Sequence, residues 1–237
     1  MPQPTVVSRD EFLAACEKFL VKEKKFTRQR EQLAAERRKL PWLRVERDYV
    51  FDGPDGKESL SDLFEGRSQL IVYHFMFGPG WEAGCPGCSR WADSFDGTIA
   101  HLNQRDVTLI AASRAPYKKL AAYQKRMGWR FKWVSSGGSD FNFDFQASFT
   151  PEELKNQRAY FNFTWQDPHA SEREGASVFC KDQEGRIYLT YSTHARGIDA
   201  MCVDYQYLDL TPKGRDEAGQ KPHPQAWVRR HDEYGTA

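Results

Sequence analysis

Several things are scarce in this chain, and each scarcity excludes something. There are only five cysteines in 237 residues, an odd number, which argues against a disulfide framework and for thiols that are mostly reduced. Net charge is nearly absent: 34 Lys and Arg face 33 Asp and Glu, leaving a formal +1. No field of one sign is available to gather nucleic acid or an anionic membrane, so neither is an expected partner. Long apolar runs are missing as well. The longest, LIVYHFMF from Leu70, is far too short to span a bilayer. The opening MPQPTVVSRDEF has no basic region followed by an apolar one, so no secretory leader is expected and the expected location is cytoplasmic. The chain has no G-x-S-x-G elbow, no G-x-G-x-x-G turn and no Walker-type loop. Serine-hydrolase chemistry and phosphate cradling by those devices therefore have no support.

Aromatic residues are plentiful at 14%, enough for a real core without disulfide staples. Phe12, Leu13, Cys16, Phe19 and Leu20 recur at helical spacing, and KEKKFTRQREQLAAERRKL continues the helix until Pro41. Its basic residues alternate with Glu17, Glu23, Glu31 and Glu36, the pattern of a solvated face that packs on the main domain or on a second subunit. YVFDGPDGKESL reads as two short strands around a turn, SDLFEG as one helical turn, and QLIVYHFMF as a strand buried on both faces. Trp91, Phe95, Ile99 and Leu102 form one helical stripe. DVTLIAAS is a second buried strand, APYKKLAAYQKRMG a helix closed by Gly128, and WRFKWVSS a further strand. The stretch from Gly137 to His169 is rich in aromatics, with Phe141, Phe143 and Phe145 alternating with polar residues. It reads as an inserted segment anchored by its aromatic side chains, or as a substrate wall. ASVFCKDQEGRIYLTYS is a hairpin turning at Gly185, and Ile198, Met201, Cys202, Tyr205 and Leu208 mark a closing helix. Beyond Pro212 the tail is polar, with Trp227 as a possible tether.

A βαβ unit followed by a ββα unit predicts an α/β, thioredoxin-like fold with a central mixed sheet flanked by helices. The expected organisation is an N-terminal helical extension (1–44), the main domain (45–212, insertion at about 135–175) and a C-terminal tail (213–237). The chemistry-bearing feature is GCPGC. Cys85 falls at the N-cap of a helix, Pro86 at its first position, and Cys88 within its first turn. Unpaired amide N–H groups there favour a thiolate, so the Cys85 pKa is expected to fall below the ordinary value of about 8.5. Two intervening residues, Pro86 and Gly87, let the sulfurs meet at disulfide geometry. Cys85 is thus the expected nucleophile and Cys88 the resolving thiol. The pair also admits two other readings, small structural residues or half of a metal site. Zinc would need two further ligands. Cys180 and Cys202 read as small buried hydrophobes, so no metal and no cofactor are expected. His74 reads as a hydrogen-bonded core histidine, and nothing in the sequence pairs His194 with the cysteines. Trp81 is placed to shield the dithiol or to pack the loop. Arg114, ending the second buried strand, is placed to support a thiolate or to form a surface ion pair.

LAAERRKLPW, GRSQLIVYHFMFGPGWEAGCPGCSRWAD, RDVTLIAASRAP, RMGWRFKWVSS, SDFNFDF, YSTHARGID and YLDLTPKGRDE together resemble the bacterial domain-of-unknown-function 899 family over nearly the whole chain. That resemblance implies a thioredoxin-like fold and leaves the activity open. The chain departs from thioredoxins in reading CPGC, with proline before glycine. In REGASVF, where thioredoxins carry a cis-proline, Ala176 or its neighbour takes that position. The peroxiredoxin pattern would place a proline where Gly78 or Trp81 stands. The leading expectation is a thiol–disulfide oxidoreductase acting on a disulfide-bearing protein or a small thiol or disulfide. A peroxidase-like thiol enzyme and a non-catalytic binding or scaffold protein are the alternatives, and under any of them the N-terminal helix is a candidate surface for a homo-oligomer.

Overall fold

The computed structural model describes residues 4–235, and the chain divides into two compact units, Met1–Trp42 and Leu43–Ala237. The first is a single helix, α1 (Arg9–Arg37). The Glu11 amide donates to the Ser8 hydroxyl while the Ser8 amide donates to the Glu11 carboxylate, so two donors that a helix start leaves free are satisfied. Asp10 and Glu11 in the first turn and Arg37 in the last match the helix dipole.

The second unit opens with β1 (Leu43–Arg44), the hairpin strands β2 (Val50–Gly53) and β3 (Gly56–Ser59), a 3-10 turn at Asp62–Phe64 and β4 (Gln69–His74). Next come α2 (Pro86–Ala92), α3 (Phe95–Asn103), β5 (Val107–Ser113), α4 (Tyr117–Met127) and β6 (Trp133–Ser135). Gly128 closes α4 at φ 69°, a left-handed conformation suited to glycine. The aromatic-rich stretch holds α5 (Phe141–Asp144), α6 (Pro151–Lys155) and a small hairpin of β7 (Ala159–Phe161) and β8 (Thr164–Gln166). The chain returns through β9 (Gly175–Lys181) and β10 (Ile187–His194), a 3-10 segment at Ala195–Met201 and α7 (Val203–Leu208). Among the described residues no helix is long and apolar enough to cross a membrane.

Eight strands form one sheet in the order β1-β10-β9-β4-β5-β6-β2-β3. β4, β5 and β6 run parallel, and β9 is antiparallel to β4, as is β10 to β9. Side chains alternate across a strand, so β4 serves two cores. Leu70 and Val72 join Phe51, Ile110, Phe141 and Phe179 on one face; Tyr73 joins Trp91, Phe95, Ala111 and Ala176 on the other. In the register Tyr73 has Ala111 on one side and Ala176 on the other. Those two small neighbours leave room for its ring, which meets Trp91 edge-on at 3.9 Å between centroids.

The structure differs from the sequence reading at three places and supplies an element where the sequence left one open. The single helix expected after the cysteines breaks between α2 and α3. The Ser94 hydroxyl donates to the Trp91 carbonyl at 2.9 Å, and the Trp129 indole N–H donates to Asp93 at 2.7 Å. These side-chain bonds compete with the helix ladder. In the aromatic-rich insertion, which the sequence left without an assigned element, Phe141 and Phe143 lie on a short helix and Phe145 just after it. There Phe141 and Phe145 fall four apart on one face and enter the second core. The closing helix is divided into a 3-10 segment and α7. Finally, Cys180 is half-buried rather than buried.

The stretch after α7 is held in place by polar bonds that its composition conceals. The Trp227 indole N–H donates to Glu217 at 2.9 Å, Val228 is buried, and the Arg126 guanidinium donates to both Asp232 and Glu233.

Candidate active site

The site is built where β4 leaves the sheet. Phe75 extends the ladder by donating to the Ala112 carbonyl, and the loop that follows closes on itself when the Cys85 amide donates to the Met76 carbonyl at 3.1 Å. Gly84 is required in that loop, because a Cβ there would stand 2.6 Å from the Phe75 ring. Its carbonyl accepts from Arg230 at 2.7 Å, and Arg230 also donates to the Tyr123 hydroxyl at 2.9 Å. One residue on, the Cys85 carbonyl accepts from both the amide and the hydroxyl of Ser89, each at 2.9 Å. The backbone on both sides of the first cysteine is therefore pinned by side chains from α2, α4 and the C-terminal stretch.

Cys85 is the N-cap residue of α2 and is half-buried; Pro86 follows at the first helical position. Cys88 is only 2% exposed. All five cysteines are free thiols. The two sulfurs of the motif interact directly and respond in opposite directions. The Cys85 thiol is brought down to about 7, chiefly by its hydrogen bond with the Cys88 side chain. Burial opposes this, and the amides of Cys88 and Gly87 reinforce it. The sulfur lies against those amides without full capping geometry, an interaction that strengthens once sulfur is charged. Burial above all, then the bond to Cys85 and the charge on it, pushes the Cys88 thiol well above its ordinary value.

Two further residues act on the pair, and a third shares its cavity. Tyr73 has its hydroxyl held un-ionised by burial and by its neighbour Cys88, with which it hydrogen bonds. Glu174, immediately before β9, lines the same cavity, and its charge raises both thiols. Arg90 lines it from α2. The cavity holds about 330 Å³ and also touches Gly87, Cys202 and Gln225. A larger cleft of about 590 Å³, bordered by Asp96, Arg130 and Lys132, contains no thiol. Both cysteines of the motif line the smaller one. Among the described residues no group of three or more His, Cys, Asp or Glu side chains is placed to hold a metal ion.

The structure brings Cys85, Pro86, Gly87 and Cys88 together and leaves two sequence candidates outside the cavity. The Trp81 ring packs on the first core and its carbonyl accepts from Lys119 at 2.7 Å. Arg114 donates to the buried Glu172 at 3.1 Å and stacks on Phe143 at 4.3 Å, away from the sulfurs. His74 is fully buried 2.8 Å from the Ser177 hydroxyl, and burial lowers it to about 3. His194 packs on Phe161 and is likewise lowered by burial, to about 4. Cys202 is buried as expected of a small hydrophobe, yet it also faces the dithiol cavity. Sequence reading missed Tyr73, Glu174, Arg90 and Arg230. Only the position just ahead of β9 offered a signal, because that position faces the helix start in this topology. No proline stands there, and among the described residues the one cis peptide is Lys221–Pro222.

A mixed sheet in which β4 and β5 are parallel and β9 and β10 antiparallel, with a helix opening after β4, is a thioredoxin-like fold. Residues 1–234 match the family described as "Bacterial protein of unknown function (DUF899)", and the chain belongs to it. A comparison with curated proteins finds no match. Among solved structures, peroxidoxin BcpB from Mycobacterium tuberculosis is similar at 12% identity and a TM-score of 0.45, covering 69% of this chain and 93% of its own. Peroxiredoxin Q of Xanthomonas campestris gives 13%, 0.43, 67% and 90% in the same order. The mitochondrial 2-cys peroxiredoxin of Plasmodium falciparum gives 13%, 0.45, 75% and 96%. At these values no chemistry is carried across.

Removing the negative charge at residue 174 is expected to lower the Cys85 pKa further. Glu174→Gln deletes a like charge that disfavours the thiolate, so the alkylation–pH profile of Cys85 moves to lower pH. A profile unchanged or moved upward would show that Glu174 is screened from the sulfur.

Proposed function

We propose that the chain is a thiol–disulfide oxidoreductase in which Cys85 attacks and Cys88 resolves. The observation that supports this reading is the asymmetry of two free thiols in one cavity, one lowered to about 7 and its neighbour raised. At pH 7 such a Cys85 is roughly half thiolate, where an ordinary cysteine is thiolate to a few per cent.

The Cys85 thiolate attacks one sulfur of R–S–S–R′, forming Cys85–S–S–R and expelling R′–S⁻, which takes up a proton. The charge on Cys85 disappears in this step. That charge is one of the causes holding the Cys88 thiol protonated, so its loss lets Cys88 ionise next. Cys88 then attacks the Cys85 sulfur, closing the Cys85–Cys88 disulfide, and R–S⁻ leaves with the proton Cys88 gave up. Two electrons have passed from the dithiol to the substrate, and a dithiol reductant restores the protein. The five free thiols suit a reducing, cytoplasmic setting.

The test is iodoacetamide alkylation of reduced protein against pH, with mass-spectrometric mapping of the oxidised form. The Cys85 rate is expected to rise to half its plateau near pH 7, and oxidation to yield a Cys85–Cys88 disulfide. A half-rise at the free-thiol value of about 8.5, or oxidation that leaves Cys85 and Cys88 unlinked, would overturn the reading.

A further inference from the structure

Resting on that reading of the dithiol, we propose that the cavity takes a small disulfide bearing a carboxylate, and that Arg90 is the group that receives the carboxylate. Two observations lead here, the size of the recess and the state of its cations. At about 330 Å³ the cavity is at the low end of small-molecule sites, which run from roughly 300 to 1,000 Å³. Cys85 and Cys88 both line it, so a disulfide that reaches Cys85 enters the recess together with whatever flanks it.

Three arginines line that recess: Arg90, Arg173 and Arg196. Two of them are already committed. Arg173 donates to the Pro168 carbonyl at 2.9 Å and lies 3.6 Å from Glu174. Arg196 is paired with Asp199 at 3.3 Å, and its side chain is 82% exposed. Asp199 in turn accepts from Arg215 at 2.9 Å, so the two carboxylates of the cavity are engaged by other guanidinium groups.

Arg90 differs. Its side chain is only 10% exposed, the polar side chains acting on it are Tyr205, Asp204 and Cys202, and its Nε and Nη1 are buried with no acceptor in hydrogen-bond geometry. The nearest carboxylate, Asp204, is 3.4 Å from Nε, a charge contact outside hydrogen-bond geometry. The guanidinium plane is clamped by Tyr205 at 4.1 Å and Trp227 at 5.5 Å, so its orientation is set before anything binds. Buried guanidinium donors without acceptors are unfavourable. A carboxylate supplies two acceptor oxygens in the geometry a guanidinium matches. The dithiol shares the cavity, so the molecule that presents the carboxylate there is one whose sulfur can reach Cys85.

The experiment compares dithiodipropionate, which carries a carboxylate at each end, with neutral bis(hydroxyethyl) disulfide, using full-length reduced protein. Each kcat/KM is divided by the rate of that disulfide with a free thiolate. A preference of about tenfold or more for dithiodipropionate is expected, the scale of one charge-assisted hydrogen bond. In Arg90→Gln the preference is expected to fall to about one, with the loss in KM and not in kcat. Arg90→Lys, which keeps the charge but not the planar fork, is expected to retain part of it, and it stands in should the glutamine variant melt early. Calorimetric titration of dithiodipropionate into a Cys85→Ser/Cys88→Ser variant gives a readout independent of turnover. Binding that vanishes on adding Arg90→Gln supports the inference even if neither disulfide is reduced, an outcome that would remove the redox reading alone. Turnover of both disulfides at equal corrected rates with no such binding, or a preference that survives Arg90→Gln, would overturn the carboxylate site and leave the redox reading intact.

Discussion

Replacing Cys85 with serine is expected to lower turnover of a disulfide reporter by at least about a thousandfold, the scale on which enzymes lose activity with their nucleophile. A serine hydroxyl at this place is not ionised near neutral pH and cannot displace a thiolate from a disulfide. The backbone that presents residue 85 is held by Ser89, Met76 and Arg230 through contacts that do not involve the sulfur, so the variant should melt near the parent. Cys88→Ser separates the two half-reactions. The first attack proceeds, the second has no nucleophile, and a Cys85 mixed disulfide accumulates that mass spectrometry detects as an adduct of one substrate half. Wild-type protein is expected to show no such adduct, because Cys88 is already in contact with the Cys85 sulfur. Retained turnover in Cys85→Ser, or an adduct on another cysteine in Cys88→Ser, would show that the chemistry resides elsewhere.

The second large effect is on stability. Phe141→Ala is expected to cost about 3–5 kcal/mol, the range for a buried phenylalanine truncated to alanine. For a unit of this size that is a fall of roughly 6–20 °C in the thermal midpoint. Phe141 belongs to the aromatic-rich insertion, which its sequence presents as an appendage. Its ring is nevertheless 0% exposed. It stands 4.9 Å from Phe51, 5.2 Å from Tyr49 and 4.7 Å from Phe145 between centroids. Removing it opens a void between α5 and the face of the main sheet, where the surrounding rings are too constrained to collapse inward. Phe163, in the same insertion but 61% exposed, is the control, with Phe163→Ala expected to change stability by no more than about 0.5 kcal/mol. Equal effects at the two positions, read by urea or thermal unfolding, would show that the insertion does not contribute to the core.

Much of the architecture is legible in the sequence because it is written in local patterns. Apolar runs at Leu70 and Val107 can only be strands covered on both faces, and the sheet places β4 and β5 at its centre. Pro86 and Gly128 mark a helix start and a helix stop for stereochemical reasons that need no partner. Where the reading strayed, a side chain bonded to something distant. The break after Ala92 depends on Trp129 reaching Asp93 from another helix's end. The helical state of Phe141–Asp144 depends on a core that its alternating pattern could not reveal.

The same division runs through the site. The sequence alone determined that two cysteines would share the first turn of a helix after a buried strand, since that follows from spacing and from proline's fixed φ. What surrounds them was decided only by the tertiary structure. Glu174 and Tyr73 meet the sulfurs because β9 pairs with β4 in a register that sets Ala176 beside Tyr73. Arg90 keeps unsatisfied donors because Tyr205 and Trp227 fold back over it. Contacts between residues so far apart along the chain depend on strand register and helix packing, which are properties of the whole sheet and not of any local segment.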